Sequence, residues 1–418
     1  MSRLIIKGGN KLEGEIDTQG SKNSVLPILA ATILNGGKSI INNCPELSDV
    51  KITVKVLESL GCKVKRVGKI LMVDSENVSE FTIPDDLMRL MRSSIIFLGA
   101  ILARCKKAVV SLPGGCEFGN RPIDLRLKAL KQLGVKITES HGYITCESEK
   151  THGENIHLDF PSVGATENIM LAASLAEGTT VISNAAREPE IVDLENFLNR
   201  MGAKISGAGG DIIRIDGVKK LYGVEHTIIP DRIVGATYLL AGAITGGNII
   251  LRNTNAGHMG AIISALKDMG CKIYSEKSRT VLTVQKNRLK ATEKLLTMPY
   301  PGFPTDIQSP FMALSTIADG TSIFVENIFE NRYQHVEELV RMGADIRVDG
   351  RVSVVCGVKT LSGAKVVAKE LRGGAALVLA GLAAEGVTEV DNIKFIDRGY
   401  EEIEKYLGVC GANIRREE

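Results

Sequence analysis

Along this chain, stretches of small and aliphatic residues run up to a glycine and give way to β-branched stretches, again and again. Five such phrases read AATILNGGKSIINN (30–43), LAASLAEGTTVISNA (171–185), LAGAITGGNIILRN (240–253), ALSTIADGTSIFVEN (313–327) and LAGLAAEGVTEVDN (379–392). A sixth, FLGAILARCKKAVVSL (97–112), has Cys105-Lys106 where the others turn on glycine. Each phrase predicts a helix, a tight turn and a strand. Helices this rich in alanine pack closely and are expected to be largely buried.

A second phrase follows each of these. It reads LESLGCKVKR (57–66), LKQLGVKITE (130–139), FLNRMGAKIS (197–206), LKDMGCKIYS (266–275), LVRMGADIRV (339–348) and YLGVCGANIR (406–415). The pivotal glycines, Gly61, Gly134, Gly202, Gly270, Gly343 and Gly411, are 73, 68, 68, 73 and 68 residues apart. A glycine that closes a helix in the left-handed conformation and releases a strand accounts for all six. The chain is therefore six copies of one alternating strand and helix unit of roughly 70 residues, and three units per domain is the natural division. Cys62 and Cys271 fill a slot that other copies give to small or apolar residues, so they read as core fillers.

At 418 residues the chain is long for one core, which agrees with two domains. Aromatic residues are only 4% with no Trp, and the net charge is +2, so no polyanion surface or base-stacking platform is expected and nucleic acid is disfavoured as a partner. The apolar run Ile95 to Ala103 is too short to cross a bilayer, and the amino terminus does not read as a secretory signal. Eight cysteines without a CxxC pair point away from a zinc ribbon or a disulfide framework and toward a reducing, cytoplasmic setting.

Chemistry gathers 14 to 16 residues ahead of the glycine turns, where the buried helices should begin. Lys22 (GSKNS), Arg92 (LMRSS), Ser162 to Thr166 (PSVGAT), Asp231 and Arg232 (PDRIVGAT), Asp306 (FPTDIQ) and Arg372 (ELRGG) stand there. Free N–H groups and the helix dipole favour anions at such ends. A cap explains Ser or Asp, but a cation at an amino terminus is expected to need a bound anion. Cys116 lies in SLPGGCEFGNRPIDL (111–125), a glycine-rich loop of the kind that forms lids, with Arg121 near enough to favour thiolate; an incidental loop cysteine is the competing reading. Asp306 lies in MPYPGFPTDIQSP (298–310), where four prolines brace a turn, and reads either as a positioned general base or as a helix cap. Arg332 and Arg398 each precede an expected helix.

GSKN (20–23), LPGGCEFGNRPIDL, SVGAT (162–166), NAAREPEIVDL (184–194), FPTDIQ, FENRYQHV (329–336) and IDRGYE (396–401) together resemble the enolpyruvyl transferases, and among them the UDP-N-acetylglucosamine branch, along the whole chain. That resemblance implies a two-domain inside-out α/β barrel, each domain three βαβαββ-type units. Residues 22–229 would form one domain and 1–21 plus 230–418 the other, with the active site in the cleft between them. It implies phosphoenolpyruvate and UDP-N-acetylglucosamine as substrates, with no metal or organic cofactor, no membrane and no nucleic acid; no oligomeric state follows from it. Lys22, Asn23, Arg121, Arg332, Arg372 and Arg398 would meet phosphoenolpyruvate. Arg92, Arg121, Pro122, Ile123, Asp124, Leu125, Phe160, Pro161, Ser162, Val163, Gly164, Asp306 and Ile328 would line the UDP-sugar site. Asp306 would take the proton of the sugar 3-hydroxyl, and Cys116 would act as general acid and form a covalent adduct.

Three positions depart from the family pattern: Arg126 and Phe395 stand where histidine is usual, and Glu370 where aspartate is. Two alternatives accompany this reading. One is the sister transferase that uses shikimate 3-phosphate, which lacks the PGGC lid. The other is a weakly active paralogue with a regulatory or binding role.

Overall fold

The computed structural model describes residues 2–90, 95–111, 123–284 and 289–418. The fifth unit displays the repeat. An edge strand, Lys294–Leu296, leads to the helix Thr305–Ser315, then the strand Thr321–Val325, the helix Val336–Arg341, and a hairpin of Asp345–Asp349 and Val352–Cys356. Thr321–Val325 lies parallel to the edge strand and antiparallel to Val352–Cys356, with Ile323 opposite Val354. In Thr321–Val325, Ser322 and Phe324 point inward while Thr321 and Ile323 face out, the alternation of a sheet covered on one side only.

The alanine-rich helices are covered on every side. All thirteen residues of Arg232–Ile244 are buried, as are Ile307 to Ser315 and Leu371 to Leu382. These three helices pack against one another inside three sheets. In the other half of the chain, Phe97–Cys105 packs against both Lys22–Ala31 and Val163–Ala173. A Cβ at Gly99 would come within 2.3 Å of the Asn168 carbonyl oxygen, so glycine permits backbone contact between two of these helices. Helices inside and sheets outside is the inside-out α/β arrangement. The six pivotal glycines have φ between 85° and 102°, the left-handed closure their spacing predicts. Where the second copy lacks a turn glycine, Lys106 adopts φ 63° in its place.

Two compact units result. One holds the described residues from Gly20 to Ile229, and the other holds those up to Gln19 and from Pro230 to Glu418. Their cores are separate apolar clusters. Edge strands are exchanged along the chain. Glu13–Asp17 precedes the helix Lys22–Ala31 but pairs with Asn248–Arg252, whereas Glu225–Thr227 precedes Arg232–Ile244 but pairs with Lys38–Asn42. The strand Arg3–Lys7 lies between Val387–Asp391 and Asn413–Glu417 and completes the last sheet. No helix among the described residues is long and apolar enough to cross a membrane.

Candidate active site

In the unit that ends at Glu418, the starts of two buried helices bring a carboxylate and a guanidinium together. Pro304 has extended φ and ψ and gives way to the helix Thr305–Ser315, which places Asp306 in the first turn. The expectation of a carboxylate in the proline-braced turn itself is corrected accordingly: Asp306 lies in a helix, after Pro304 and ahead of Pro310. Glu370 caps the helix Leu371–Ala383, its carboxylate accepting from the backbone N–H groups of Arg372 (2.7 Å) and Gly373. The longer acid thus acts as a helix cap, and Arg372 occupies the first turn. Arg372 Nη2 donates to Asp306 Oδ2 at 3.0 Å, and Arg332 Nη2 stands 3.6 Å from Oδ1. Both arginines are nearly fully buried, while the Asp306 side chain keeps 29% of its exposure.

Further contacts fix this group. Arg332 also donates to the Thr305 carbonyl at 3.0 Å. The Thr305 hydroxyl donates to Glu326 Oε2 at 3.0 Å, and Glu326 Oε1 accepts from the N–H groups of Ile328 (2.9 Å) and Phe329 (3.0 Å). The buried Glu326 therefore ties the segment beside Asp306 to the loop bearing Ile328. The Arg372 guanidinium lies 5.6 Å from the Tyr400 ring centroid, and the Tyr400 hydroxyl meets Thr237 Oγ1 at 2.9 Å. Burial would pull the Arg372 guanidinium down, but Asp306, Tyr400 and Asp231 hold it above its ordinary value. Its buried Nη1 lacks an acceptor of good geometry among the described residues, so donor capacity remains for an anion. Arg398 is half-buried at the end of the 3-10 turn Ile393–Arg398, which Arg416 anchors through Asp397 at 2.7 and 2.9 Å. In the same turn Phe395 lies beneath Lys394, with Nζ 5.5 Å from the ring centroid.

The other unit carries a second group. Lys22 opens the helix Lys22–Ala31, and its Nζ lies 2.7 Å from Oδ2 of the fully buried Asp49. Asn23 follows, half-buried. Ser162 caps Val163–Ala173, accepting from Ala165 N at 3.4 Å; Pro161, Val163 and Gly164 are half-buried and Phe160 is exposed. Ile123, Asp124 and Leu125 form the start of the helix Asp124–Gln132. Arg126 joins these two segments. A Cβ at Gly164 would fall 1.9 Å from Arg126 Nη2, so the guanidinium lies directly against that glycine. Arg126 also faces the buried Glu167. Burial pushes the Glu167 carboxyl up to about 8, with Arg126 opposing and Glu188 and Glu190 adding to the rise.

The rule that a cation at a helix start needs a bound anion is corrected by Lys22 and Arg372, for which the protein supplies Asp49 and Asp306. Asp49 and Glu326 were not legible as site residues, because their partners lie 27 and 21 residues away and nothing local marks them. Cys116, Arg92, Arg121 and Pro122 lie outside the described residues. Cys62 and Cys271 are buried core residues whose thiols burial pushes up to about 12.

Residues 6–407 match the family model of EPSP synthase (3-phosphoshikimate 1-carboxyvinyltransferase). The chain is 56% identical over 416 residues to UDP-N-acetylglucosamine 1-carboxyvinyltransferase 2 of Caldanaerobacter subterraneus subsp. tengcongensis, covering 100% of each. It is 50% identical to UDP-N-acetylglucosamine 1-carboxyvinyltransferase 1 of Carboxydothermus hydrogenoformans, covering 100% of this chain and 98% of that one. Among solved structures, the enolpyruvyl transferase NikO from Streptomyces tendae superposes with a TM-score of 0.90 at 24% identity over 99% of this chain and 98% of that one. An EPSP synthase from Acinetobacter baumannii gives 0.77 at 18% identity over the whole of both chains. At these identities the two structures speak for the fold.

Proposed function

The chain belongs to the EPSP synthase family of carboxyvinyl transferases, and from that premise we propose that it transfers the enolpyruvyl group of phosphoenolpyruvate to the 3-hydroxyl of UDP-N-acetylglucosamine, releasing phosphate. The observation that carries the choice of acceptor is full-length identity of 50–56% to transferases named for that sugar nucleotide. Shikimate 3-phosphate, the acceptor of the sister enzyme, has behind it the name of the family model and a solved structure at 18% identity, against 50–56% for the sugar-nucleotide transferases.

Asp306 accepts the proton of the sugar 3-hydroxyl as its oxygen attacks C2 of phosphoenolpyruvate, and Cys116 delivers a proton to the C3 methylene. The product of addition is a tetrahedral ketal. Loss of phosphate with removal of a C3 proton then regenerates the double bond as an enol ether. Lys22, Arg121, Arg332, Arg372 and Arg398 hold the phosphate and carboxylate, and preset cations stabilise the charge that builds on the departing phosphate. Asn23 orients the same substrate. Arg92, Arg121 to Leu125, Phe160 to Gly164 and Ile328 hold the UDP-sugar.

Asp306 as base and Arg332 and Arg372 as anion holders are linked roles. While unliganded, the carboxylate serves as the counterion of both guanidinia. An incoming anion takes its place on the arginines and leaves the carboxylate available to the hydroxyl. The activity places the chain in the bacterial cytoplasm, at the first committed step of peptidoglycan synthesis, upstream of wall growth and division.

Phosphate release is the test. Release from phosphoenolpyruvate is expected only with UDP-N-acetylglucosamine present. Release with shikimate 3-phosphate instead, or with neither acceptor, overturns the assignment.

A further inference from the structure

One buried cluster in the unit from Gly20 to Ile229 has no part in the chemistry above. Asp193, on the helix Pro189–Arg200, is 3% exposed and gathers three donors. The Ser24 hydroxyl donates to its Oδ2. His226 Nε2 meets its Oδ1 at 2.9 Å. The Ile229 N–H reaches Oδ2 at 3.4 Å. Ser24 is fully buried, and His226 is 4% exposed on the strand Glu225–Thr227. The imidazole is gripped from two sides by one helix face: Asp193 takes its Nε2, and Phe197, one turn on, meets the ring edge-on at 5.4 Å. Since a carboxylate only accepts, Nε2 carries the hydrogen; Nδ1 has no partner among the described residues.

The order of these contacts excludes nucleophilic catalysis. Ser24 is bonded to the acid rather than to the imidazole, and no atom of it reaches solvent. What the cluster joins is the first turn of the Lys22–Ala31 helix to the segment that leaves the unit. The same junction is made a second time through the backbone, where Ser21 N donates to the Ile229 carbonyl at 2.8 Å. Ile229 thus uses its N–H on Asp193 and its carbonyl on Ser21. Lys22 and Asn23 stand between the two anchored residues, Ser21 and Ser24.

We propose that Ser24, Asp193 and His226 are positioning residues for phosphoenolpyruvate, acting through Lys22 and Asn23, whose backbone they clamp on both sides. A burial of this depth costs stability unless the polar groups are paired, and here the pairing sets the direction in which a lysine and an amide leave the helix start. The inference rests on Lys22 and Asn23 meeting phosphoenolpyruvate.

The test is steady-state kinetics of Ser24→Ala, His226→Leu and His226→Gln beside Lys22→Ala. Ser24→Ala removes one hydroxyl and suits a helix, so it is the variant least disturbing to folding. Ser24→Ala and His226→Leu are expected to raise KM for phosphoenolpyruvate about tenfold, with KM for UDP-N-acetylglucosamine within about twofold of the parent. His226→Gln, whose amide can donate to Asp193 as Nε2 does, restores most of the loss. Variants that lower Tm but keep the parental KM for phosphoenolpyruvate, while Lys22→Ala raises it, overturn the proposal. If Lys22→Ala also leaves that KM unchanged, the assignment of Lys22 to this substrate falls with it.

Discussion

Arg372 donates from Nη2 to Asp306 Oδ2 at 3.0 Å, which occupies that donor and that oxygen while Arg372 Nη1 keeps its capacity for an anion. The pairing is what allows a guanidinium to be buried in this fold before any ligand arrives. A buried cation without a counterion is costly, and Asp306, on the neighbouring helix start, provides that counterion from a partly exposed position.

Asp306→Asn separates the two roles. The amide keeps the shape but neither removes a proton nor neutralises the arginines. kcat is expected to fall by about 10²- to 10⁴-fold. KM for phosphoenolpyruvate should stay level or drop, because the competing carboxylate is gone. A raised KM with preserved kcat would show that Asp306 is not the base.

Arg372→Lys tests the fork. Lysine keeps the charge but presents a single ammonium in place of a planar set of donors. The expected result is a rise of about tenfold or more in KM for phosphoenolpyruvate and a smaller change in KM for the sugar nucleotide. Equal effects on both would assign Arg372 to a general structural role.

Cysteine labelling distinguishes Cys116 from the rest. Burial pushes the thiols of Cys62, Cys146 and Cys271 up to about 12 and that of Cys410 up to about 11, so their thiolate forms are scarce near neutral pH. An alkylating agent, including the epoxide fosfomycin, should modify Cys116 first. Peptide mapping after brief exposure reads the site, and modification of another cysteine with loss of activity would redirect the assignment.

Two buried groups give stability opposite dependences on pH. Burial, aided by Glu188 and Glu190, lifts Glu167 from 4.5 to about 8, so between those values the folded chain holds a proton that the unfolded chain releases. Stability from this group is full below about 4.5 and declines as pH rises to 8, by about 1.4 kcal/mol per unit at most. Glu167→Gln should flatten the fall in Tm toward pH 8. An unchanged slope counts against a protonated Glu167.

His335 acts in the other direction. Burial, followed by the charge of Arg332, pulls its imidazole from 6.5 down to about 3. The unfolded chain gains a proton below about 6.5 that the folded chain refuses, so stability present above 6.5 is lost as pH falls toward 3. The Tm of His335→Gln should decline less between pH 6.5 and 4 than that of the parent. His335 also abuts Gly373, where a Cβ would lie 2.7 Å from its own Cβ, so Gly373→Ala is expected to disturb the start of the helix that carries Arg372.

The repeat was legible because its signal is local. A glycine with positive φ is needed wherever helix turns into strand, and Gly61 through Gly411 record that need six times. In the other series of turns, where the second copy lacks its glycine, Lys106 takes the left-handed region in its place. Helix starts were legible for the same reason, which is how Lys22, Asp306 and Arg372 could be found together. Their counterparts were not. Asp49 beneath Lys22, Glu326 beneath Thr305 and Asp193 beneath Ser24 are chosen by packing between elements far apart in the chain. An acidic residue on an amphipathic helix carries no mark of whether it faces water or a buried lysine. Arg126 was noticed only as a departure from a pattern, and its contact with Gly164 emerged from the fold.

The strand Arg3–Lys7 pairs with Val387–Asp391 on one side and Asn413–Glu417 on the other. During synthesis these first residues leave the ribosome well before either partner exists. The unit from Gly20 to Ile229 can be assembled once Ile229 is made, whereas the other unit waits for strands that follow it, as late as Asn413–Glu417. Throughout that interval an apolar segment, Leu4 to Ile6, has no sheet to enter. The polar and charged residues that flank it, Ser2, Arg3 and Lys7, then serve a second purpose, keeping a waiting strand soluble until its two partner strands are made.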